Sequence, residues 1–362
     1  MLGSKGRGSV KTAEIVIIGS GSLAQGIVYA LSQVAAGSFR VAIAGRSQAK
    51  IFRLALLANA RAASFGTPPT FFPLEIAEFK TLAFSRALRS LRPSVVLLAA
   101  SLQSPWEGSQ GQNAWSQLIA EGGFGLTLPL QLRFAAELSR SASDSETAIV
   151  NACYPDCVNV VVDRLGLRTT CGIGNCAIVE AFCRAHPEVR NNDVRVVGHH
   201  GHLRVWLNGE TSRPQPRIWV KGKETMSSPL RPRLGAIGEE LNQVTSSTAT
   251  RVVMSLLTGG MLQTSVPGVA GMPGGYPFLL KNRKFTLHLP SHLTAEEAIA
   301  HNQTGERLDG LHLASGVKFI GRARRSLARV GFAYAEGFDL AEWQSACDQM
   351  VTLRERLRLI ST

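Results

Sequence analysis

A glycine-rich turn between a β-branched strand and an amphipathic helix constrains this chain more than any other feature. Residues 14–19 (EIVIIG) read as a buried strand that runs into Gly19-Ser20-Gly21-Ser22-Leu23-Ala24. Helical spacing comes next, with Leu23, Val28, Leu31 and Val34 on one face, and a second strand, FRVAIAG, occupies 39–45. This is a βαβ unit, and its turn fits G-x-G-x-x-G/A in the strand–turn–helix context that a dinucleotide site requires. Gly19 permits the tight turn, and Gly21 lets the backbone approach a pyrophosphate. Ala24 is small enough for the helix to pack on the sheet, Ser22 and Leu23 open the helix, and the helix N-terminus favours an anion.

The alternation continues. SVVLLAA (94–100) and TAIVNA (147–152) are further buried-strand runs, separated by a helical segment over about 126–141, and a weaker strand is expected near 71–74. Past residue 168 the pattern changes. VRVVGHHGHLRVWL, RIWVKG and KFTLHLP read as strands joined by polar turns, with helical patterns over roughly 234–257 and 293–303 and a final helix over 342–359. With 362 residues the chain exceeds the usual ceiling for one hydrophobic core. The expected organisation is a basic tail (1–13), a Rossmann-type parallel α/β domain (14–168), an α+β catalytic domain (169–304) and a helical extension (305–362).

The missing residues speak to the cofactor. An NAD site places an Asp or Glu at the end of the second strand, on the ribose hydroxyls. Here that strand ends Ala44-Gly45-Arg46-Ser47, and no carboxylate occurs anywhere from 15 to 74. Arg46 can fork onto a 2′-phosphate and Ser47 can donate to it, so NADP(H) is preferred over NAD(H).

Charge and composition exclude other classes. Charged residues make up 18% of the chain and hydrophobic ones 45%, which excludes a disordered protein. No apolar run is long enough for a membrane-spanning helix, and no apolar leader is visible at the start. Six cysteines are too few for a disulfide scaffold of this size, so a reduced, cytoplasmic protein is expected. The net charge of +13 raises the question of nucleic acid. The charge lies in blocks, however, and the 203–233 block has only Trp206 and Trp219 for base stacking. Nucleic acid is therefore the weaker reading, and a phosphate-bearing small ligand explains the basic block at 40–61 as well.

The second chemical feature is Gly198-His199-His200-Gly201-His202. A histidine there can give a proton to a carbonyl oxygen during hydride transfer. Zinc held with Cys171, Cys176 or Cys183 is the alternative, but no CxxC or HExxH spacing supports it.

Taken in order, IVIIGSGSLAQG, SVVLLAASLQSPWEG, AIVNACYPDCVNVVVDRLGL, CGIGN, VRVVGHHGHLRVW, TSSTATRVV and FTLHLPSHLTAEEA resemble the lactate/malate dehydrogenase superfamily from about 14 to 303. The resemblance implies that His200 is the catalytic histidine and that Gly201 leaves room for substrate beside it. It implies Asn151 beside the nicotinamide (Tyr154-Pro155 being the competing match), Ala100 at the cofactor, Ser247 and Thr248 lining the pocket, and a homodimer. The departures matter equally. The positions of the family's histidine-orienting Asp and carboxylate-clamping Arg are occupied by Ile178 and Ala181, and Glu180 is the nearest replacement for the Asp. The stretch 101–125, the family's mobile loop, contains no Arg or Lys and carries Trp106, Trp115 and Phe124 instead. A small 2-oxo acid needs a bidentate arginine, so an NADPH-dependent reductase acting on a bulkier C=O or C=N, covered by Trp106, Trp115 and Tyr154, is expected. A dehydrogenase-like binding or scaffold protein for a peptide or biosynthetic intermediate is the alternative.

Overall fold

The computed structural model describes residues 12–109, 111–190, 192–232 and 238–361. Of the tail expected over 1–13, residues 1–11 lie outside the described residues, whereas Ala13 is buried and bonds to the Leu91 carbonyl.

The first half alternates as its apolar runs require. Strand β1 (Ile15–Ile18) leads to α1 (Ser22–Leu31), β2 (Arg40–Gly45) to α2 (Gln48–Phe65) and β3 (Thr70–Glu75) to α3 (Thr81–Leu91). β4 (Val95–Leu98) is followed by α4 (Ala114–Gly122) and α5 (Leu128–Ser141), and β5 (Ala148–Asn151) by α6 (Pro155–Arg164) and the short β6 (Cys171–Gly172). All six strands are parallel, in the order β3-β2-β1-β4-β5-β6, which is the doubly wound dinucleotide-binding arrangement. Successive strand residues point to opposite faces, and both faces are covered. Ile15, Ile17, Val41, Ile43, Val95 and Leu97 pack with α1 and α2, while Val16, Ile18, Ala42, Ala44, Val96 and Leu98 pack with α3 to α6.

The second half begins with α7 (Asn175–Ala185), β7 (Val194–Val197), α8 (His200–Asn208), β8 (Arg217–Val220) and β9 (Lys223–Thr225). Then come α9 (Leu241–Thr258), β10 (Leu262–Pro267), β11 (Gly275–Lys281) and β12 (Lys284–Leu287). Helix α10 (Ala295–Leu308), β13 (Leu311–Leu313), β14 (Val317–Phe319), α11 (Gly321–Arg329), β15 (Gly337–Phe338) and α12 (Trp343–Arg358) complete the chain. The strands form three antiparallel three-stranded sheets.

Two expectations fail here. The run from His202 to Leu207, read as strand after a polar turn, lies in helix α8. The His199 side chain accepts the Gly201 N–H at its start, and Gly209 closes it in a left-handed conformation, which outweighs the β-propensity of Val205 and Trp206. Helix α10 also runs uninterrupted through residue 304, and the C-terminal segment beyond it is no appendage. Leu311, Phe319, Leu327, Trp343, Met350 and Leu357 join the same core as Val16 and Leu98 of the parallel sheet. No helix among the described residues is long and apolar enough to cross a membrane.

Candidate active site

At the carboxyl edge of the sheet lies a cleft of about 570 Å³. Its floor is the glycine-rich turn. Gly19 has φ +133°, and a Cβ there would stand 2.6 Å from the Ala99 carbonyl oxygen of the neighbouring crossover, so only glycine fits. Helix α1 opens at Gly21 with no side-chain cap, which leaves its first N–H groups for an anion. Ser22 and Leu23 also line the cleft, and Asn242 of α9 donates to the Ser22 hydroxyl at 2.8 Å, fixing the turn against the second half. Ala24 is fully buried in helix–sheet packing and does not line it.

Arg46, Ser47 and Lys50 form the far end. The Arg46 guanidinium lies 5.8 Å from the Phe79 ring centroid and has no ion pair among the described residues. The nearest strand-end acid is Glu75, paired in register with Gly45, but it is exposed and outside the cleft. Glu239, ahead of α9, is the one carboxylate among the described lining residues. Ala100, Trp106, Phe124, Cys153 and Tyr154 line the opposite end.

Tyr154 starts α6 in a left-handed conformation (φ +47°), with Pro155 in the first turn. Its ring lines the cleft, and its hydroxyl donates to Asp309 Oδ2 at 2.9 Å. His200 Nδ1 meets the same oxygen at 2.8 Å, and Asp309 is 1% exposed. The second carboxylate, Asp156, accepts the His200 backbone N–H at 3.1 Å and is held in turn by Asn175. Phe124 and Tyr154 stand between the cleft and the imidazole, with ring centroids 5.0 and 5.5 Å from it.

Asp309 reaches His200 because α8 and α10 cross closely. A Cβ on Gly201 would stand 2.2 Å from the Gly305 carbonyl oxygen, and one on Gly305 would stand 2.4 Å from the His199 Cβ. The space at Gly201 is therefore filled by a helix and not left for substrate.

Burial pulls the His200 imidazole down, but the Asp309 charge and hydrogen bond outweigh it, and His200 ends above the ordinary histidine value. Burial would raise Asp309, yet His200 and then His199 hold it well below the usual carboxylate range. His199 is lowered by burial and sits 3.3 Å from the Cys157 thiol. His202 is lowered by burial and by His301, on which it stacks at 4.3 Å. Of the three neighbouring histidines, only His200 keeps an ionised partner within 3 Å and retains access to solvent, at 25% side-chain exposure.

Several expected residues lie elsewhere. Asn151 is buried in its own turn, donating to Asn159 Oδ1 at 2.8 Å and accepting from Cys153 N–H, so Tyr154-Pro155 takes the cleft position. Glu180 does not orient His200, because it is paired with Arg184 at 2.9 Å and accepts the Ser265 N–H. Ile178 belongs to a separate small core. Ser247 and Thr248 bond to carbonyls of their own helix, at Gln243 and Thr245, and do not line the cleft. Trp115 is fully buried and donates to Gln103 Oε1 at 2.9 Å, so it builds the loop, whereas Trp106 faces the cleft. Trp206 and Trp219 are also fully buried, with no face for a base. Among the described residues no group of three or more His, Cys, Asp or Glu side chains could hold a metal, and all six cysteines are free and buried.

The loop from Ser101 to Gly125 is strapped down. Gln103 bonds Glu107 at 2.8 Å, and Glu107 accepts from Nε and Nη2 of Arg358 in α12. Arg354 donates to the Leu102 carbonyl, and Ala114 N–H to that of Ile360. Sequence reading missed Asp309, Asp156 and these arginines, since their partners lie up to 252 residues away.

No protein-family model and no curated protein matches the chain. Solved structures do. The lactate dehydrogenase of Cryptosporidium parvum, with lactic acid and nicotinamide adenine dinucleotide, is similar at 14% identity and TM-score 0.50, covering 83% of this chain and 98% of its own. That of Eimeria maxima, with NADH and oxamate, gives 14% identity and TM-score 0.51, covering 82% and 92%. The Archaeoglobus fulgidus malate dehydrogenase, with NADH, gives 14% and 0.50, covering 81% and 96%. The chain has the lactate/malate dehydrogenase fold.

Proposed function

We propose that the protein is an NADP(H)-dependent oxidoreductase that reduces a C=O or C=N bond. The observation that carries this reading is the pairing of a cleft floored by a dinucleotide-type turn with the His200–Asp309 couple directly behind Tyr154 and Phe124, two residues of its wall. The uncapped start of α1, the close approach at Gly19 and Arg46, without an ion pair among the described residues, fit a dinucleotide bearing a 2′-phosphate. When bound, the reduced nicotinamide supplies the hydride that enters at the substrate carbon. His200 holds the proton at Nε2 that the substrate oxygen or nitrogen takes up. Asp309 fixes the Nδ1–H tautomer and keeps the ring protonated until transfer. Tyr154 holds that same carboxylate oxygen from the cleft side, and Trp106 and Phe124 exclude water.

The arginine-free loop argues against lactate, malate and their oxo acids. Oxidation of NADPH by a panel of bulky aldehydes, ketones and cyclic imines, with pyruvate and oxaloacetate as controls, tests the reading. Turnover is expected within the panel, and His200→Asn should lower kcat by ~10²–10⁴-fold. A kcat/KM of ~10⁴ M⁻¹s⁻¹ or more with pyruvate or oxaloacetate overturns the substrate assignment. One observation favours a second reading, a binding protein without turnover: Phe124 and Tyr154 wall His200 from the cleft. NADPH binding with no oxidation across the whole panel decides for it.

A further inference from the structure

Beside His200, on elements that the dinucleotide cleft does not use, stand two arginines. Arg204 lies one helical turn after His200 on α8, and its Nη2 donates to the Leu308 carbonyl at 3.3 Å, next to Asp309. Arg322, in the first turn of α11, lies flat against Gly123. A Cβ on Gly123 would stand 3.1 Å from Arg322 Nη2, and Gly123 has φ +93°, so this position demands glycine twice over. Gly123 immediately precedes Phe124, the ring that contacts His200. Arg322 is half-buried and, among the described residues, has neither a hydrogen bond nor an ion pair.

The electrostatics of this corner are incomplete. Burial and then the charge of Arg204 weaken the hold of Arg322 on its proton, and Asp309 offsets them only in part. Asp309 is already committed to His200 and Tyr154. The other charges nearby, Arg213 and Glu210, pair with each other at 3.2 Å. Among the described residues neither half-buried guanidinium has an ion pair of its own, and Asp309 serves both only in part, an arrangement that an anion would complete. Guanidinium suits carboxylate and phosphate equally, by two parallel N–H donors.

We infer that Arg204 and Arg322 bind an anionic group, carboxylate or phosphate, beside His200 and outside the residues that line the dinucleotide cleft. The inference rests on the oxidoreductase reading in one respect: the group belongs to the substrate, as a distal acid that anchors a molecule longer than a 2-oxo acid. The arginines come from α8 and α11, and not from the loop or from positions 178–181.

The test uses the full chain without cofactor, with the ¹⁵N-labelled histidine ring of His200 followed by NMR while sodium acetate or inorganic phosphate is added. Saturable movement of the His200 resonance is expected with at least one anion. Preference for acetate identifies a carboxylate, and preference for phosphate a phosphoryl group. Arg322→Gln should weaken the interaction ~10-fold or more, Arg322→Lys should keep the charge but not the paired donors and fall between Gln and wild type, and thermal unfolding should show both variants folded. No saturable movement up to ~0.1 M of either anion, or equal binding in Arg322→Gln, overturns the proposal. Because this readout uses neither NADPH nor turnover, failure of the oxidoreductase reading leaves it separately decidable.

Discussion

The two ends of the candidate site are built by different means. The proposed cofactor end is made of consecutive residues. Strand β1, the turn from Gly19 to Ala24 and helix α1 lie within seventeen residues, and β2 delivers Arg46 and Ser47 one crossover later. The proposed proton-donor end is assembled across the chain, with His200 meeting a carboxylate 109 positions away. At the first end local rules nearly suffice. At the second, the geometry depends on where α10 docks, and that is decided by the fit of Gly201 against Gly305. A site made of local contacts survives changes in remote packing, and a site made of distant ones does not.

Three substitutions separate the two ends, beginning with the largest effect. Trp115→Ala removes a fully buried ring from the loop that both ends share, together with its bond to Gln103. A loss of about 3–5 kcal/mol in chemical denaturation is expected. A cost below ~1 kcal/mol would show that the loop is not packed as described.

Asp309→Asn should strike the proton-donor end alone. Removing a charged partner of this kind is worth about 1.5–3 kcal/mol, or roughly ten- to a hundredfold in the reduction rate, with NADPH affinity unchanged. The sign of its pH effect comes from His200. Its protonation value is raised, so the imidazolium, and the stabilisation it gains from Asp309, is fully present below the ordinary histidine value of 6.5. Both are lost as pH rises through the raised value. The rate of reduction should therefore hold beyond pH ~6.5 and then fall. In Asp309→Asn that fall should begin at lower pH. An unmoved profile would mean that another group supplies the proton.

Gly305→Ala tests the docking itself. The added methyl would meet the His199 Cβ, forcing α10 outward at a cost of about 1–3 kcal/mol. Reduction should fall while NADPH binding persists. Loss of both together would show that the two ends are not separable.

The same contrast explains what could be read from the chain in advance. The parallel order of β1, β2, β4 and β5, the cleft turn and Arg46 were legible because apolar runs and a turn motif announce them. His200 was singled out through the resemblance of its G-x-H-G segment to the family's. Its carboxylate partner was not: the resemblance puts Ile178 at that position, and nothing in the residues around Asp309 marks it. Glu180 was the wrong substitute because it faces the β10 backbone and Arg184. Asn151 and Tyr154 sit three positions apart, and only the left-handed turn at Tyr154 decides which of them meets the cleft. Helix α8 was misread because capping by His199 outweighed a β-branched, aromatic run. The C-terminal segment read as an extension, since no periodicity in it shows that Leu311 and Trp343 complete the first core.

Cofactor choice is the most direct point of test. Calorimetric titration of the full chain with NADPH and with NADH compares the two on the same cleft. Arg46, free of ion pairs among the described residues and facing that cleft, should favour NADPH by about 1.5–3 kcal/mol, roughly ten- to a hundredfold. Arg46→Ala should erase most of the difference while leaving NADH binding nearly as it was. Equal affinities in the wild-type protein, or tighter binding of NADH, would contradict it.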